Sequence, residues 1–594
     1  MYEPPPPRPK KTNICRSRTG CKVCRQRRKK CDERKPCGLC MRLGVACEQI
    51  FPAFEFRSVL GPPRSHKAKV WPFTSMYQPS NKSVAVIKNS PKHWRRSPGR
   101  MDGCVDTIFD PDSLLNANTT PDAVIFYMNI WKVHCLPALN VVFESIVTVH
   151  SQSSLITDTM ATLAASRLSR KLPQRRLFKS TDSPGLGFRP DSGHECLSSE
   201  LYGSALRKMC CWSTENFDLN PMLAFVALVL FCYVESSMGY FEGFYIHSQG
   251  VENLLKKSAD LIFPHGAGLL AAWVEVKMQN WWRRAYFGVP EFFQDHFNPL
   301  LCPEIQFISN TESGRTATVL WILCESHRLN TAALIAQITG ENTVTKLLNN
   351  ATPATNKQFI FSEFLANMKI YSEKLQEWRA SLPDLAEIGE IPNRLKRLDL
   401  KSLDNEAIYF PCHKLAMNMA YYVMARVMHC AGPLRTFARE SVHDIHDLYE
   451  EIEAWILIML RIAAGISWED CICLNAYTIG FSGLLFACAL SSRNLETGLW
   501  IQEWLEKRLE QGGIEEGNFP VFQILDAVRL INRERKNGLD VVALFQTVDD
   551  GGGSGKFGSY SSQSIRSMLV YGRCRSTGEL GSYHVSTGGL IAPG

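Results

Sequence analysis

No apolar run in these 594 residues reaches the ~20 needed to cross a bilayer. The longest, Met222–Val234, has 13 residues and stops at Glu235, so it reads as a core helix and no membrane partner is expected. An apolar leader is also missing, since the chain opens MYEPPPPRPKK; the expectation is an intracellular, reducing compartment, where disulfides are not the use of 21 cysteines. Walker, H-E-x-x-H, G-x-S-x-G and strand-to-helix G-x-G-x-x-G patterns are absent, and Gly266-Ala267-Gly268 is too short to cradle a phosphate. No catalytic residues are assigned and the chain reads as a non-enzyme. Acidic residues are scarce in one place: the first 100 positions hold 5 of them against 24 Lys and Arg, a charge of +19. Beyond position 100 there are 42 basic and 53 acidic residues, or −11. A cationic arm on a mildly acidic body suits a polyanion, because each phosphate neutralised releases counterions. Histidine, finally, does not occur between Cys15 and Cys47, which removes mixed Cys/His zinc sets.

What this region does hold is cysteine, at 21, 24, 31, 37, 40 and 47, in the pattern C-x2-C-x6-C-x5-C-x2-C-x6-C. Two C-x2-C pairs, each followed by a third cysteine, make a duplicated half-site. Zinc takes four ligands in a tetrahedron, so two ions have about eight positions to fill from six thiolates, and two sulfurs must be shared. Two Zn²⁺ with six thiolates leave a core of about −2, and the neighbouring Lys22, Arg25, Arg27, Arg28, Lys29, Lys30, Arg34 and Lys35 offset it. Val23–Lys30 has neither Gly nor Pro and is expected to form one or two helical turns, with Pro36 breaking the chain before a second short helix over Gly38–Leu43. So small a piece buries too little apolar surface to fold alone, and metal binding supplies most of its folding free energy. A disulfide knot, an iron–sulfur site and a zinc module used only for protein contact are the alternatives for six cysteines; the reducing compartment and the basic run argue against them.

The cluster, its basic run Arg25–Lys30, Asp32, Pro36 and Arg42-Leu43-Gly44 together resemble the fungal Zn(II)2Cys6 binuclear-cluster transcription factors. The resemblance implies that Cys21 and Cys37 bridge two zinc ions, that Cys24 and Cys31 complete one site, and that Cys40 and Cys47 complete the other. It implies double-stranded DNA as partner, a CGG-like element read by the end of the first helix, a nuclear location and regulation of RNA polymerase II transcription. By position, Arg28 is the first base reader and Arg27 the second, each with a fork that matches guanine O6 and N7. The bland reading of both is a solvated charge that aids nuclear import. Lys22, Arg25, Lys29, Lys30 and Arg42 fall to phosphate or cluster-side contacts, which position without specifying. In one departure Pro36 abuts Cys37, where many members have an intervening residue; Cys15 stands outside the pattern as a free thiol.

Around the cluster the expected organisation is a disordered basic arm at 1–14, the zinc module at 15–50, and a basic, Pro-bearing disordered linker at 51–105 with no room for a heptad seam before Gly61-Pro62-Pro63. An all-α body follows at 106–545, then a Gly/Ser-rich disordered tail at 546–594; the fold class is mainly α. Helical spacing of Ile156, Met160, Leu163, Ala164 and Leu168, of Ile501, Leu505 and Leu509, and of Ile524, Val528 and Ile531 carries the helical reading. A loop is expected over Ser180–Gly193, and apolar helices over Met222–Val234 and Ala454–Leu460. The 14 cysteines beyond position 50 read as small buried hydrophobes. His247, His413 and His429 read as core histidines, Glu450, Glu451 and Glu453 as a solvated face, and Trp281-Trp282 beside Arg283-Arg284 as buried rings with exposed charges. LITDTMATLAASRLSR from Leu155, ELYGSALRKM from Glu200 and PMLAFVALVLFCYVES with YIHSQGVENLLKK resemble the fungal-specific transcription factor domain. That implies a regulatory body for a homodimer contact, a small-molecule inducer or the transcription machinery. A protein-interaction scaffold and an enzyme with a zinc appendage are the competing classes.

Overall fold

A computed structural model describes residues 23–24, 27, 37–45 and 47, and most of 121–586. Within the latter it leaves out 150–152, 172–173, 179–184, 239–240, 288–301, 340–352, 383–399, 401–402, 404–405, 431–441, 513–514, 518, 547–566 and 579. The expected arm at 1–14 and linker at 51–105 lie outside the described residues. Two compact units are present, residues 1–100 and 101–594, and each has a core of its own.

In the first unit the described helix is α1, Gly38–Arg42. The described part of the second unit opens with α2, Pro121–Ile130, where proline takes the first helical position. It continues through α3 (Val142–Val149), α4 (Ser154–Lys171), α5 (Ser192–Cys210), α6 (Thr214–Leu219), α7 (Pro221–Met238), α8 (Phe241–Ile262) and α9 (Ala267–Phe287). After the four-residue α10 (Ile305–Ile308) come α11 (Gly314–Thr339), α12 (Pro353–Ala380), α13 (His413–Cys430), α14 (Val442–Gly465), α15 (Trp468–Leu474), α16 (Phe481–Ser491), α17 (Leu495–Glu510) and α18 (Val521–Lys536). Neighbours in the packing run α5, α4, α7, α9, α11, α13, α14, so helices are layered against one another around a single continuous core.

The helical expectations hold where apolar residues are dense. Ile156, Met160, Leu163, Ala164 and Leu168 are all buried on α4. That helix is in fact buried nearly all round, and its threonine hydroxyls bond back one turn, Thr159 Oγ1 donating to Leu155 O at 2.8 Å and Thr162 Oγ1 to Asp158 O at 2.7 Å, while Ser166 Oγ pairs with Ser237 Oγ of α7 at 2.9 Å. Met222–Val234 lies inside α7, where Phe225, Phe231 and Tyr233 are enclosed and Tyr233 donates its hydroxyl to Ala272 O at 3.0 Å. Trp455, Ile456, Met459 and Leu460 of α14 are buried likewise. Start signals are written in the caps: Asp191 accepts from Gly193 N and His194 N, Ser213 forms a capping box with Asn216, and Ser467 and Asn494 cap α15 and α17.

Strands appear in three places where helices or loops were expected. β1 (Gln174–Phe178) and β2 (Gly185–Arg189) pair antiparallel, so the expected loop at 180–193 gives way to a hairpin strand and to α5, which opens at Ser192. β3 (Glu515–Glu516) and β4 (Phe519–Pro520) form a short ribbon. β5 (Leu539–Gln546), β6 (Ser567–Cys574) and β7 (Leu580–Ser586) make a three-stranded antiparallel sheet with β6 in the middle. The disordered tail expected at 546–594 is thereby corrected for 567–586: Met568 and Val570 reach 0% exposure against a partner strand that the surrounding Gly/Ser composition conceals. Gly538, at φ +84, makes the left-handed turn from α18 into β5.

Candidate metal centre and nucleic-acid interface

Val23 and Cys24 start a helical turn that Arg27 N closes on Val23 O at 3.0 Å. Cys37 is the N-cap of α1, extended at φ −69, ψ 149, and its sulfur accepts the Cys40 N–H at 3.4 Å. At the other end Gly44, φ +61, is left-handed; Gly44 N bonds Met41 O and Val45 N bonds Cys40 O, both at 3.2 Å, the paired bonds of a Schellman stop. Nothing lies within 4 Å of a Cβ placed on Gly44, so backbone conformation alone calls for glycine after Arg42-Leu43. This reversal brings Cys47 back toward the helix start, where Cys37 N donates to Cys47 Sγ at 3.3 Å.

Three sulfurs meet in the interior of this small unit. Cys24, Cys37 and Cys40 are 1%, 0% and 0% exposed, and their Sγ atoms all lie within 4.8 Å of one another. Cys24 Sγ and Cys37 Sγ are 3.6 Å apart. Thiolates 2.3 Å from one tetrahedral zinc stand roughly 3.8 Å apart, whereas a disulfide needs about 2.05 Å. The donor set therefore fits zinc, and the N–H bonds to Cys37 and Cys47 orient the sulfurs from outside the first ligand layer. Cys24 comes from the first C-x2-C pair and Cys40 from the second, and Cys37 touches both halves.

Among the expected DNA contacts, Arg27 is exposed at the end of the first turn, and Arg42 is exposed on α1 with Nε donating to Gly38 O at 3.2 Å. Cys21, Cys31, Lys22, Arg25, Arg28, Lys29, Lys30 and Cys15 lie outside the described residues. The capping sulfur of Cys37 and the Gly44 stop were not anticipated; C-G-L-C followed by R-L-G carries both signals, a polar N-cap atom and a glycine just past the helix end.

In the second unit the histidines are engaged in packing. His247 Nε2 is 2.6 Å from Tyr202 Oη, His413 Nε2 is 2.8 Å from Asn475 Oδ1, and His429 Nε2 is 2.8 Å from Ser326 Oγ. Burial, aided by Arg426, pushes His429 down to about 3, a neutral core imidazole. Two expectations change. Arg283 is 1% exposed and donates to Ser236 O at 2.9 Å, so it is not a surface charge beside Trp281 and Trp282. Glu453 is tied down by Ser492 Oγ at 2.7 Å and Arg493 N at 3.0 Å, while Glu450 remains exposed. Of the later cysteines, Cys135, Cys232, Cys302, Cys324, Cys430, Cys471 and Cys488 are buried, but Cys196, Cys210, Cys211, Cys412 and Cys473 are exposed; Cys196 faces water from the first half of α5 and the other four from at or beside helix ends.

Residues 19–53 match the family model of the fungal Zn(2)-Cys(6) binuclear cluster domain. No curated protein and no solved structure matches the chain.

Proposed function

From the premise that this chain is a DNA-binding transcription regulator of the fungal zinc-cluster kind, holding two zinc ions within residues 19–53, we propose that it reads a CGG-like element in the nucleus and that its helical body regulates that binding. The observation that carries the reading is that Cys24 of the first half and Cys37 and Cys40 of the second bring their sulfurs within 4.8 Å of one another, so one metal site draws on both halves; that Cys37 is the shared sulfur, which lets six thiolates hold two metals, is taken from the family resemblance. Cys21 is the second shared ligand, with Cys24 and Cys31 completing one ion and Cys40 and Cys47 the other. Held by the metals, the first turn presents Arg28 and then Arg27 to guanine edges, while Lys22, Arg25, Lys29, Lys30 and Arg42 grip phosphates.

The arm at 1–14, the zinc module at 15–50 and the linker at 51–105 form the DNA-reaching part. The body from 106 onward serves for dimerisation, for an inducer or for contact with the polymerase II machinery, and with β6 and β7 included it runs to 586 rather than 545. The test is binding of the full zinc-loaded chain to a CGG-bearing duplex and to a scrambled one. Arg28→Ala is expected to weaken the specific complex about 10- to 100-fold and leave the scrambled one little changed, and Lys22→Ala to weaken both alike. Equal affinity of the unaltered protein for both duplexes would favour the scaffold reading instead.

A further inference from the structure

A second cationic site lies in the helical body, at an irregularity in its first helix. α2 runs into a five-residue π-helix, Trp131–Cys135, a widened turn that often accompanies a functional site. Trp131 and Cys135 enter the core at 0% exposure, while His134 lines a cavity of about 160 Å³. Arg167, Arg170 and Lys171 from the end of α4, Cys473 of α15 and Glu515 of β3 complete the polar wall.

The charges there do not balance. Glu515 is the one carboxylate lining the cavity, and Arg170 takes it: Arg170 Nε donates to Oε2 at 2.8 Å, and a second N–H goes to the other oxygen. Burial opposes the charge on Glu515, yet Arg170 holds the carboxyl below its ordinary range. Arg167 also acts on Glu515 from a distance, and Lys171 has no carboxylate among the lining residues. Three cations thus line the cavity against one carboxylate, with Glu195 outside the lining as a further partner of Arg170 and the C-terminal ends of α4 and α15 adding partial negative charge.

Arg167 Nη2 donates to Ile472 O at 2.8 Å, but its Nε is buried without a hydrogen-bond partner. Lys171 Nζ stands 3.3 Å from His134 Nδ1 and 3.4 Å from Nε2. Burial, Lys171 and Arg167 together push His134 down to about 4. Capping of helix ends explains one guanidinium bond of Arg167. It does not explain the unsatisfied Nε, which costs free energy unless an acceptor reaches it; the Lys171 ammonium meets a neutral imidazole, which leaves its charge uncompensated.

We propose that this cavity binds a small oxyanion, a phosphate or the carboxylate end of a short acid, between Arg167, Lys171 and His134. At about 160 Å³ the cavity has room for a phosphate-sized group. An anion gives Arg167 Nε its acceptor and Lys171 a negative partner; a guanidinium fork beside a lysine point charge is well matched to such a group. This site stands on residues of the body alone and does not depend on how, or whether, the zinc module reads CGG.

The test is calorimetric titration of the full zinc-loaded chain, without DNA, with inorganic phosphate and separately with succinate, at constant ionic strength set by chloride. Because the basic N-terminal arm also attracts anions, the comparison is between the unaltered chain, Lys171→Gln and Arg167→Gln, with Lys507→Gln as an exposed lysine outside the cavity. Saturable binding of either anion is expected, about tenfold or more weaker in the Lys171 and Arg167 variants and retained in the Lys507 variant. Which anion binds more tightly identifies the source of the oxyanion. Lys171 is exposed, so its replacement keeps the fold, as far-UV circular dichroism will check. Absence of saturable binding by both anions, or an unweakened affinity in Lys171→Gln, overturns the proposal.

Discussion

The sulfur of Cys37 accepts the Cys40 N–H at the start of α1 and lies within 4.8 Å of both Cys24 and Cys40. On the proposed assignment Cys37 is shared, while Cys47, half-buried and accepting the Cys37 N–H, is a terminal ligand that needs to reach only one metal. The two residues should respond differently to the same substitution. Replacing a shared thiolate by a hydroxyl leaves each zinc with about three sulfurs and removes the link between them, whereas replacing a terminal one leaves the second ion's four ligands intact. Cys37→Ser is expected to lose both zinc ions and Cys47→Ser to keep about one equivalent, measured as metal per chain after gel filtration in a weak chelator. Retention of two equivalents by Cys37→Ser would remove the shared-sulfur assignment.

At the scale of elements, the sheet β5–β6–β7 changes what the end of the chain is for. β5 lies on α18, and its Val541, Leu544 and Phe545 are buried together with Met568, Val570 and Tyr571 of β6. Ending the chain at Asp550 strips β6 from its partner. With three large apolar side chains lost at about 1.5–3 kcal/mol each, the body should lose roughly 5 kcal/mol, read as a lower denaturant midpoint, and its uncovered β5 edge should promote association. A truncated chain of unaltered stability would mean that the sheet contributes nothing to the body. α4, α17 and α18 were legible as apolar residues at helical spacing, α7 and α14 as apolar runs, and α1 as the short stretch after Pro36; of the other helix expected in the zinc module, Val23–Lys30, only Val23, Cys24 and Arg27 are described. The hairpin at 174–189 and the strand at 567–574 stayed hidden for a different reason. A strand is specified by its partner, and β6 finds its partner, β5, about 30 residues back across a Gly/Ser-rich stretch that masks a short alternating run. The wall of the oxyanion cavity was illegible for a like cause: His134, Arg167, Cys473 and Glu515 come from four distant segments, and no single window of sequence holds them together.

In the whole molecule, charge and folding energy are both divided along the chain. Residues 1–100 carry +19 and the remainder −11, so attraction to DNA resides in one unit while the larger one repels it and limits non-specific adhesion. The units also differ in what stabilises them. The first has, among its described residues, a core of three cysteines with Val23, Leu39 and Cys47 packed against them, apolar area too small by itself to offset the entropy of ordering these residues, so their order is assigned to metal–sulfur bonds. The second has an extended apolar core built around Trp131, Trp273, Trp282 and Trp455, and among the described residues its cysteines and histidines form no comparable metal-binding group. Exhaustive chelation of the reduced, full-length protein should therefore abolish DNA binding while the far-UV helical signal and the main thermal transition barely change; added zinc should restore the binding. If the helical signal collapsed with the metal, the body would owe its fold to zinc as well. If DNA binding survived chelation, the basic arm would be acting as a flexible polycation, and the metal-held geometry that aims Arg28 at a base edge would have no part in recognition.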